Sequence, residues 1–131
     1  MKTVLVDTNY FLRLLIKDNR LQYQKAYAFF KRGVQNKVEL YSTVPVFFEI
    51  YWVISSFYKK DKESCIGILN KILNIDFVQF ENKTVLSYAV LLFEKYNLDL
   101  EDCYNLAVFA KENFDDIATY DVKVRKVSKL L

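Results

Sequence analysis

The chain has 131 residues, of which 53% are hydrophobic and 17% aromatic, and this length and composition predict a single domain with ample material for a core. It contains no histidine and only two cysteines, which excludes a Ser-His-Asp triad, a Cys-His pair, histidine-based proton transfer and a structural zinc site. The net charge of +3 does not identify a partner, and an N-terminus without signal-peptide features predicts a cytoplasmic protein.

Strand and helix patterns alternate along the first part of the chain. Lys2 to Val6 is a short apolar run typical of a strand, and helical spacing of apolar residues begins at about Asn9. Asn19 is placed as the N-cap of a second helix, and Pro45 stands in the first turn of an apolar third helix. We further predict strands in "VELYST" and "DFVQF" and an amphipathic helix in "KESCIGILNKILN".

The remaining residues predict two more helices and two more strands. The helices are "NKTVLSYAVLLFEKYN" and "LEDCYNLAVFAKEN", the second of them capped by Asp99. "DIATYD" has the composition of a strand that ends at Asp121, and "VKVRKV" alternates like an edge strand. Strands that alternate with helices favour an α/β fold with a parallel sheet covered by helices on both faces.

Glu49 is the only charged residue between Glu39 and Lys59, inside an apolar segment that has the length of a membrane span. An acidic side chain there costs about 2.5 to 3.5 kcal/mol on insertion, so we predict a helix of a globular domain and no membrane. In such a helix a buried carboxylate needs compensation. Glu49 therefore lies on a solvent-exposed stripe, is protonated, or binds a metal ion.

Three aspartates stand where predicted elements begin or end. Asp7 follows the first strand, Asp102 opens the last long helix, and Asp121 follows the strand predicted in "DIATYD". Each has an ordinary explanation, as a helix cap, a first-turn acid favoured by the helix dipole, and a turn residue, respectively. Ligands also bind at the carboxyl ends of parallel strands, so the same positions fit a functional site.

Taken together, these acids predict a metal site. If Asp7, Glu49, Asp102 and Asp121 converge on one edge of the sheet, their like charges cannot all stay ionised without a cation. Mg²⁺ or Mn²⁺ takes oxygen ligands and can activate water for phosphodiester hydrolysis. The remaining surface would then be more basic and would suit a polyanion.

Four segments in this order resemble those of PIN-domain ribonucleases, and within them the VapC-type toxins of toxin–antitoxin pairs. They are "VLVDTNYFLRLL", "YSTVPVFFEIYWVISSFY", "LDLEDCYNLAVFA" and "IATYD". The resemblance covers essentially the whole chain, residues 1–131, as one PIN domain. It implies a three-layer α/β/α fold around a parallel sheet of four or five strands, a homodimer, Mg²⁺- or Mn²⁺-dependent endoribonuclease activity on RNA, and a cognate antitoxin that blocks the cleft.

The resemblance also implies roles for individual residues. The catalytic acids and metal ligands of the family fall on Asp7, Glu49, Asp102 and Asp121. Asp99 matches a position that is often acidic in these toxins, at the margin of the site.

Further polar residues of this sequence match the family near those acids. Thr8, Asn9 and Thr119 stand where the family commonly has small polar side chains that orient the acids. Arg13, about one helical turn after Asn9, is a candidate contact to an RNA phosphate, with an ordinary surface arginine or an antitoxin contact as alternatives.

Two alternatives to a toxin remain open. The first is a housekeeping RNA-processing nuclease with the same fold, which differs from a toxin in that its expression alone should not arrest growth. The second is a non-catalytic module that holds RNA or a protein partner, which should show no metal-dependent rise in melting temperature.

Overall fold

A computed structural model of the chain describes all 131 residues, whose contacts divide into two units, Met1–Asn82 and Lys83–Leu131. The first unit contains β1 Lys2–Leu5, α1 Thr8–Ile16, α2 Arg20–Val34, β2 Val38–Ser42, α3 Val44–Trp52, a π-helical turn Val53–Phe57, α4 Lys62–Leu73 and β3 Val78–Phe80. The second contains α5 Lys83–Lys95, α6 Leu100–Lys111 and α7 Val122–Ser128. The single domain over residues 1–131 stays a prediction.

The three strands form one parallel sheet in the order β1-β2-β3. The register pairs Val4 with Leu40 and Leu40 with Val78, so these side chains share one face. That face is buried, since Leu40 and Val78 are 1% and 2% exposed. On the opposite face Leu5, which pairs with Tyr41, is 68% exposed. In the first unit the helices therefore cover one face of the sheet, and the three-layer arrangement stays a prediction.

Aromatic side chains attach the helices of the first unit to the buried face of the sheet. Phe11 of α1 is fully buried, with its ring centroid 5.4 Å from that of Phe30 in α2 and 5.5 Å from that of Phe80 in β3. Phe47 of α3, also fully buried, lies 6.5 Å from Phe80 between ring centroids. One cluster of rings thus fixes α1, α2 and α3, and with them the residues that follow β1.

The helical second unit is built on the packing of α5 along α6. Leu86 and Ala89 of α5 and Cys103 and Leu106 of α6 are all fully buried. α7 also contacts α6 and buries Val124. No helix of the chain combines the length and the apolar character that crossing a membrane requires.

Two strand predictions for the second unit are wrong, and the sheet has three strands instead of four or five. "VKVRKV" forms α7 because Asp121 caps it, accepting the backbone N–H of Val124 on Oδ1 at 3.0 Å. Val124 and Val127 then share a buried helical face, whereas Val122 is 63% exposed. The segment "DIATYD" contains no strand. The carbonyl oxygen of Thr119 within it accepts a hydrogen bond from the side chain of Arg125.

The two glycines of the chain lead to opposite expectations for alanine substitution. A Cβ on Gly33 of α2 would lie 2.6 Å from Leu40 Cδ1 and 3.2 Å from Phe77 Cδ2, whereas one on Gly67 of α4 would meet nothing within 4 Å. We expect Gly67→Ala to raise the free energy of unfolding by about 0.5–1 kcal/mol through helix propensity. Gly33→Ala should lower it by about 1–3 kcal/mol, because the buried Leu40 must shift.

Urea unfolding of both glycine variants beside the parent protein measures this difference. Both substitutions replace a helical glycine by alanine, so each serves as the control for the other. Equal stabilisation by both would contradict the close approach of α2 to β2.

Candidate active site

Asp7 lies between the end of β1 and the start of α1 and is exposed. Its Oδ1 accepts the backbone N–H of Thr8, the first helical residue, at 2.7 Å. Capping side chains ordinarily bind the second or third N–H of a helix, so this bond orients the carboxylate more than it caps. The other oxygen, Oδ2, has no hydrogen bond and is available to a ligand.

Thr8 carries the single buried side-chain polar atom of the chain that has no hydrogen-bond partner. The residue is 3% exposed, and its Oγ1 is unpaired. An unpaired buried hydroxyl costs about 1–3 kcal/mol in proteins, which is why such groups are rare. An orphaned hydroxyl directly beside Asp7 is consistent with a group that a bound ligand completes.

Replacement of Thr8 by valine tests this interpretation, because valine has the same shape but no hydroxyl. We expect Thr8→Val to raise the free energy of unfolding by about 1 kcal/mol in metal-free buffer, since the unpaired polar atom is removed. RNA cleavage should fall about 10- to 100-fold if the hydroxyl orients the site. Urea unfolding and a cleavage assay measure the two effects, and a loss of stability would contradict the orphaned state of the hydroxyl.

Glu49 lies on the exposed side of α3. It has no hydrogen bond or ion pair, while the next residue, Ile50, is fully buried. Of the explanations that the sequence left open, the solvent-exposed stripe therefore accounts for the charge of Glu49 without a cation. Its role as a metal ligand stays a prediction.

The remaining acids of the predicted set belong to the second unit. Asp102, in the first turn of α6, is half-buried. Burial, and then the negative charges of Asp99, Asp121 and Glu101, raise the pKa of Asp102 above its ordinary value. Asp99 precedes α6 but makes no capping hydrogen bond with its side chain. Asp99 thus occupies the predicted N-cap position without capping the helix through its carboxylate. The charges acting on Asp102 are all negative.

Asp121 is held by its neighbours on both sides. Its backbone N–H donates to Thr119 Oγ1 at 3.0 Å, and its Oδ1 accepts the N–H of Val124 at 3.0 Å. Thr119 thus holds the backbone of Asp121, and Oδ2 of Asp121 has no hydrogen bond. The role of Thr119 in orienting the acids of a metal site stays a prediction.

A cleft of about 300 Å³ in the second unit has Asp102 in its lining. Its polar lining includes Asn105, Asp116 and Thr119, and its apolar lining includes Phe109 and Phe114. Sequence reasoning missed Asn105 and Asp116. Asn105 stands three residues after Asp102, on the same face of α6, and that spacing was the signal available for it.

The residues present fit a hard divalent cation. The free donors are carboxylate oxygens, the type that Mg²⁺ and Mn²⁺ prefer, and Asp102 has several acidic neighbours and no offsetting cation. Within either unit, no group of three or more acidic or cysteine side chains is placed to hold a metal ion by itself. Asp7 and Glu49 belong to the first unit, and Asp102 and Asp121 to the second.

Arg13 is bound within the first unit. Its Nη1 donates to Asp18 Oδ1 at 2.9 Å, and the hydroxyl of Tyr58 donates to Asp18 Oδ2 at 2.9 Å. The arginine also lines a pocket between α1 and α2, together with Asn9. The ion pair gives Arg13 a structural function, and the phosphate contact stays a prediction.

The chain matches the family model of the PIN domain over residues 4–130, and it belongs to the PIN domain family. The match runs through both units. PIN domains are in general nucleases that use divalent metal ions, which agrees with the oxygen donors around Asp7 and Asp102. No curated protein sequence matches the chain.

Proposed function

We propose that the protein is a metal-dependent endoribonuclease that acts in the cytoplasm as the VapC-type toxin of a toxin–antitoxin pair. The observation that carries the proposal is the environment of Asp102, a half-buried carboxylate whose charged neighbours are all acids. In a PIN-family chain, a divalent cation is the natural counter-charge for such a group.

The proposed ligands of Mg²⁺ or Mn²⁺ are the four acids Asp7, Glu49, Asp102 and Asp121. When bound, the ion activates a water molecule and stabilises the leaving oxygen of a phosphodiester. Asp7 would bind through Oδ2, because Oδ1 is held by the N–H of Thr8. Asp121 would likewise bind through the oxygen that does not cap α7.

The neighbouring polar residues hold these acids in place. Thr119 fixes the backbone of Asp121, and Thr8 supplies an unpaired hydroxyl next to Asp7. Asp99, which makes no capping bond, adds negative charge beside Asp102 and so favours a cation there. Asn9, exposed in the first turn of α1, is free to contact substrate.

We also propose a homodimer and a cognate antitoxin as partners. Trp52 and Phe57, at the end of α3 and in the π-helical turn, are 64% and 73% exposed. Large aromatic side chains are enriched at protein interfaces. These residues support an interface on this part of the first unit.

Cleavage of a mixed RNA pool by the purified protein tests the nuclease. With Mn²⁺ we expect discrete products that disappear in EDTA and with the Asp7→Asn variant. Absence of cleavage together with an unchanged melting temperature at saturating Mn²⁺ would contradict the proposal and favour a non-catalytic module.

Expression of the protein alone tests the toxin. We expect growth arrest with the parent chain and normal growth with Asp7→Asn at equal protein levels. Normal growth with a parent chain that cleaves RNA in vitro would indicate a housekeeping nuclease instead.

A further inference from the structure

α1 and α2 enclose a pocket of about 290 Å³ in the first unit. Its lining consists of Asn9, Tyr10, Arg13, Gln22, Lys25 and Ala26. Two of these side chains are cations, two are amides and none is an acid. Cationic and amide N–H donors that converge on one pocket are the chemistry that binds a phosphate group.

The charge balance of the pocket is positive. Arg13 uses Nη1 for its bond to Asp18, and a guanidinium carries five N–H donors, so donors remain for a ligand. Asp18 is not among the residues that line the pocket, and its carboxylate also accepts a hydrogen bond from the hydroxyl of Tyr58. Lys25 is exposed and has neither a hydrogen bond nor an ion pair. An anion in the pocket could therefore bind the unpaired ammonium group of Lys25 and the guanidinium of Arg13, which its bond to Asp18 already orients.

The pocket lies along the same helix that begins after Asp7. α1 starts at Thr8, and Asn9, Tyr10 and Arg13 line the pocket from its successive turns. At 1.5 Å per residue, Asn9 is about 3 Å and Arg13 about 9 Å along the helix from Asp7. Arg13 is the cation of this set and lies at its far end, so a phosphate that Arg13 binds would belong to another nucleotide than the one attacked beside Asp7.

We propose that this pocket binds a non-scissile backbone phosphate of the RNA substrate through Arg13 and Lys25, with Asn9 and Gln22 as further hydrogen-bond donors. The inference rests on the proposed function, since it names where the nuclease holds its substrate. A phosphate contact carries no sequence information, so it positions any RNA strand relative to Asp7.

Binding of a short fluorescein-labelled RNA of random sequence tests the pocket. The assay uses the full-length Asp7→Asn protein without divalent metal, so that binding is measured separately from cleavage. We expect Lys25→Gln in this background to weaken binding about tenfold. The slope of log K against log salt should fall by about 0.7, the value for one phosphate contact to a single strand.

Two further variants control the experiment. Lys31→Gln removes an exposed cation from the same helix outside the pocket and should change neither affinity nor slope. Lys25→Arg keeps the charge and should restore both. Since Lys25 is exposed and unpaired, its replacement leaves the fold intact, which the melting temperature verifies.

The outcomes separate this inference from the nuclease proposal. If the parent protein cleaves RNA but Lys25→Gln binds it as Lys31→Gln does, the pocket assignment is overturned and the nuclease stands. The cations would then be available to an acidic segment of a protein partner. If Lys25→Gln weakens binding but the parent protein never cleaves, the pocket stands and the nuclease proposal fails.

Discussion

Asp7→Asn is expected to lower the rate of metal-dependent RNA cleavage at least about 100-fold, more than the 10- to 100-fold loss typical of residues that only support a metal ligand. Asparagine keeps the oxygen that accepts the N–H of Thr8 and is itself a good helix-capping residue. The substitution therefore removes the charge of the carboxylate without removing its local hydrogen bond. Initial rates of RNA cleavage in Mn²⁺ and the melting temperature without metal measure the two properties.

Asp102→Asn tests a second acid of the site, and we expect it to change stability as well as cleavage. Because its pKa is raised, folded Asp102 holds its proton more tightly than the unfolded chain does. The contribution of Asp102 to the free energy of unfolding therefore falls as the pH rises from the ordinary pKa of an aspartate through the raised pKa. At neutral pH, where the carboxylate is charged, this contribution is unfavourable. We expect Asp102→Asn to lose cleavage yet to melt at a higher temperature than the parent without metal.

Glu101→Gln is the matched control for both acids. It removes an exposed carboxylate one residue from Asp102, in the same turn of α6. We expect its cleavage rate to stay near that of the parent. Folded Asp7→Asn and Asp102→Asn proteins that cleave RNA as fast as Glu101→Gln would show that these acids do not form the active site.

Phe11→Ala should have the largest effect on stability. Phe11 is fully buried between Phe30 and Phe80, so its truncation leaves a cavity where three elements meet. We expect a loss of about 3–5 kcal/mol in the free energy of unfolding. Domains of this size are stable by about 5–15 kcal/mol, so the variant is close to unfolding.

Tyr27→Ala controls for the loss of an aromatic ring at the surface. Tyr27 lies in α2 and is 52% exposed, and we expect its truncation to cost much less than that of Phe11. Phe11→Leu should show a smaller loss in the same direction if the alanine variant does not fold. Urea unfolding measures the free energy of unfolding of each variant. Equal losses for Phe11→Ala and Tyr27→Ala would contradict the aromatic core.

Local chemistry explains why much of the first unit could be predicted. Asn19 caps α2 through the N–H of Gln22 at 3.0 Å, as its position before an apolar periodic run indicated. The strands of the first unit were recognisable as short runs that contain valine or other apolar residues and end at or just before a polar residue, namely Asp7, Thr43 and Glu81. These features depend on residues within one turn of each other and need no tertiary information.

The second unit shows where sequence reasoning fails. In "VKVRKV" the valines fit both an alternating strand and one face of a short helix, and the cap at Asp121 decides for the helix. The acids of the candidate site could be recognised as residue types at element ends, and Asp99 is the N-cap residue of α6 as predicted. The sequence did not show that the side chain of Asp99 makes no capping hydrogen bond. The pocket between α1 and α2 combines Arg13 with Lys25 from another helix, so no local pattern could reveal it.

The π-helical turn Val53–Phe57 lets this segment tolerate one change in length. Its wider ring, closed by the N–H of Tyr58 on the carbonyl of Val53 at 3.1 Å, accommodates one residue more than an α-helical turn. Deletion of a single residue there would restore regular α-helix and leave the residues that follow near their present orientation. The same deletion within α3 would rotate those residues by about 100° and turn the Tyr58 hydroxyl away from Asp18, the partner of Arg13. A residue is therefore lost more easily from this turn than from the regular helix before it.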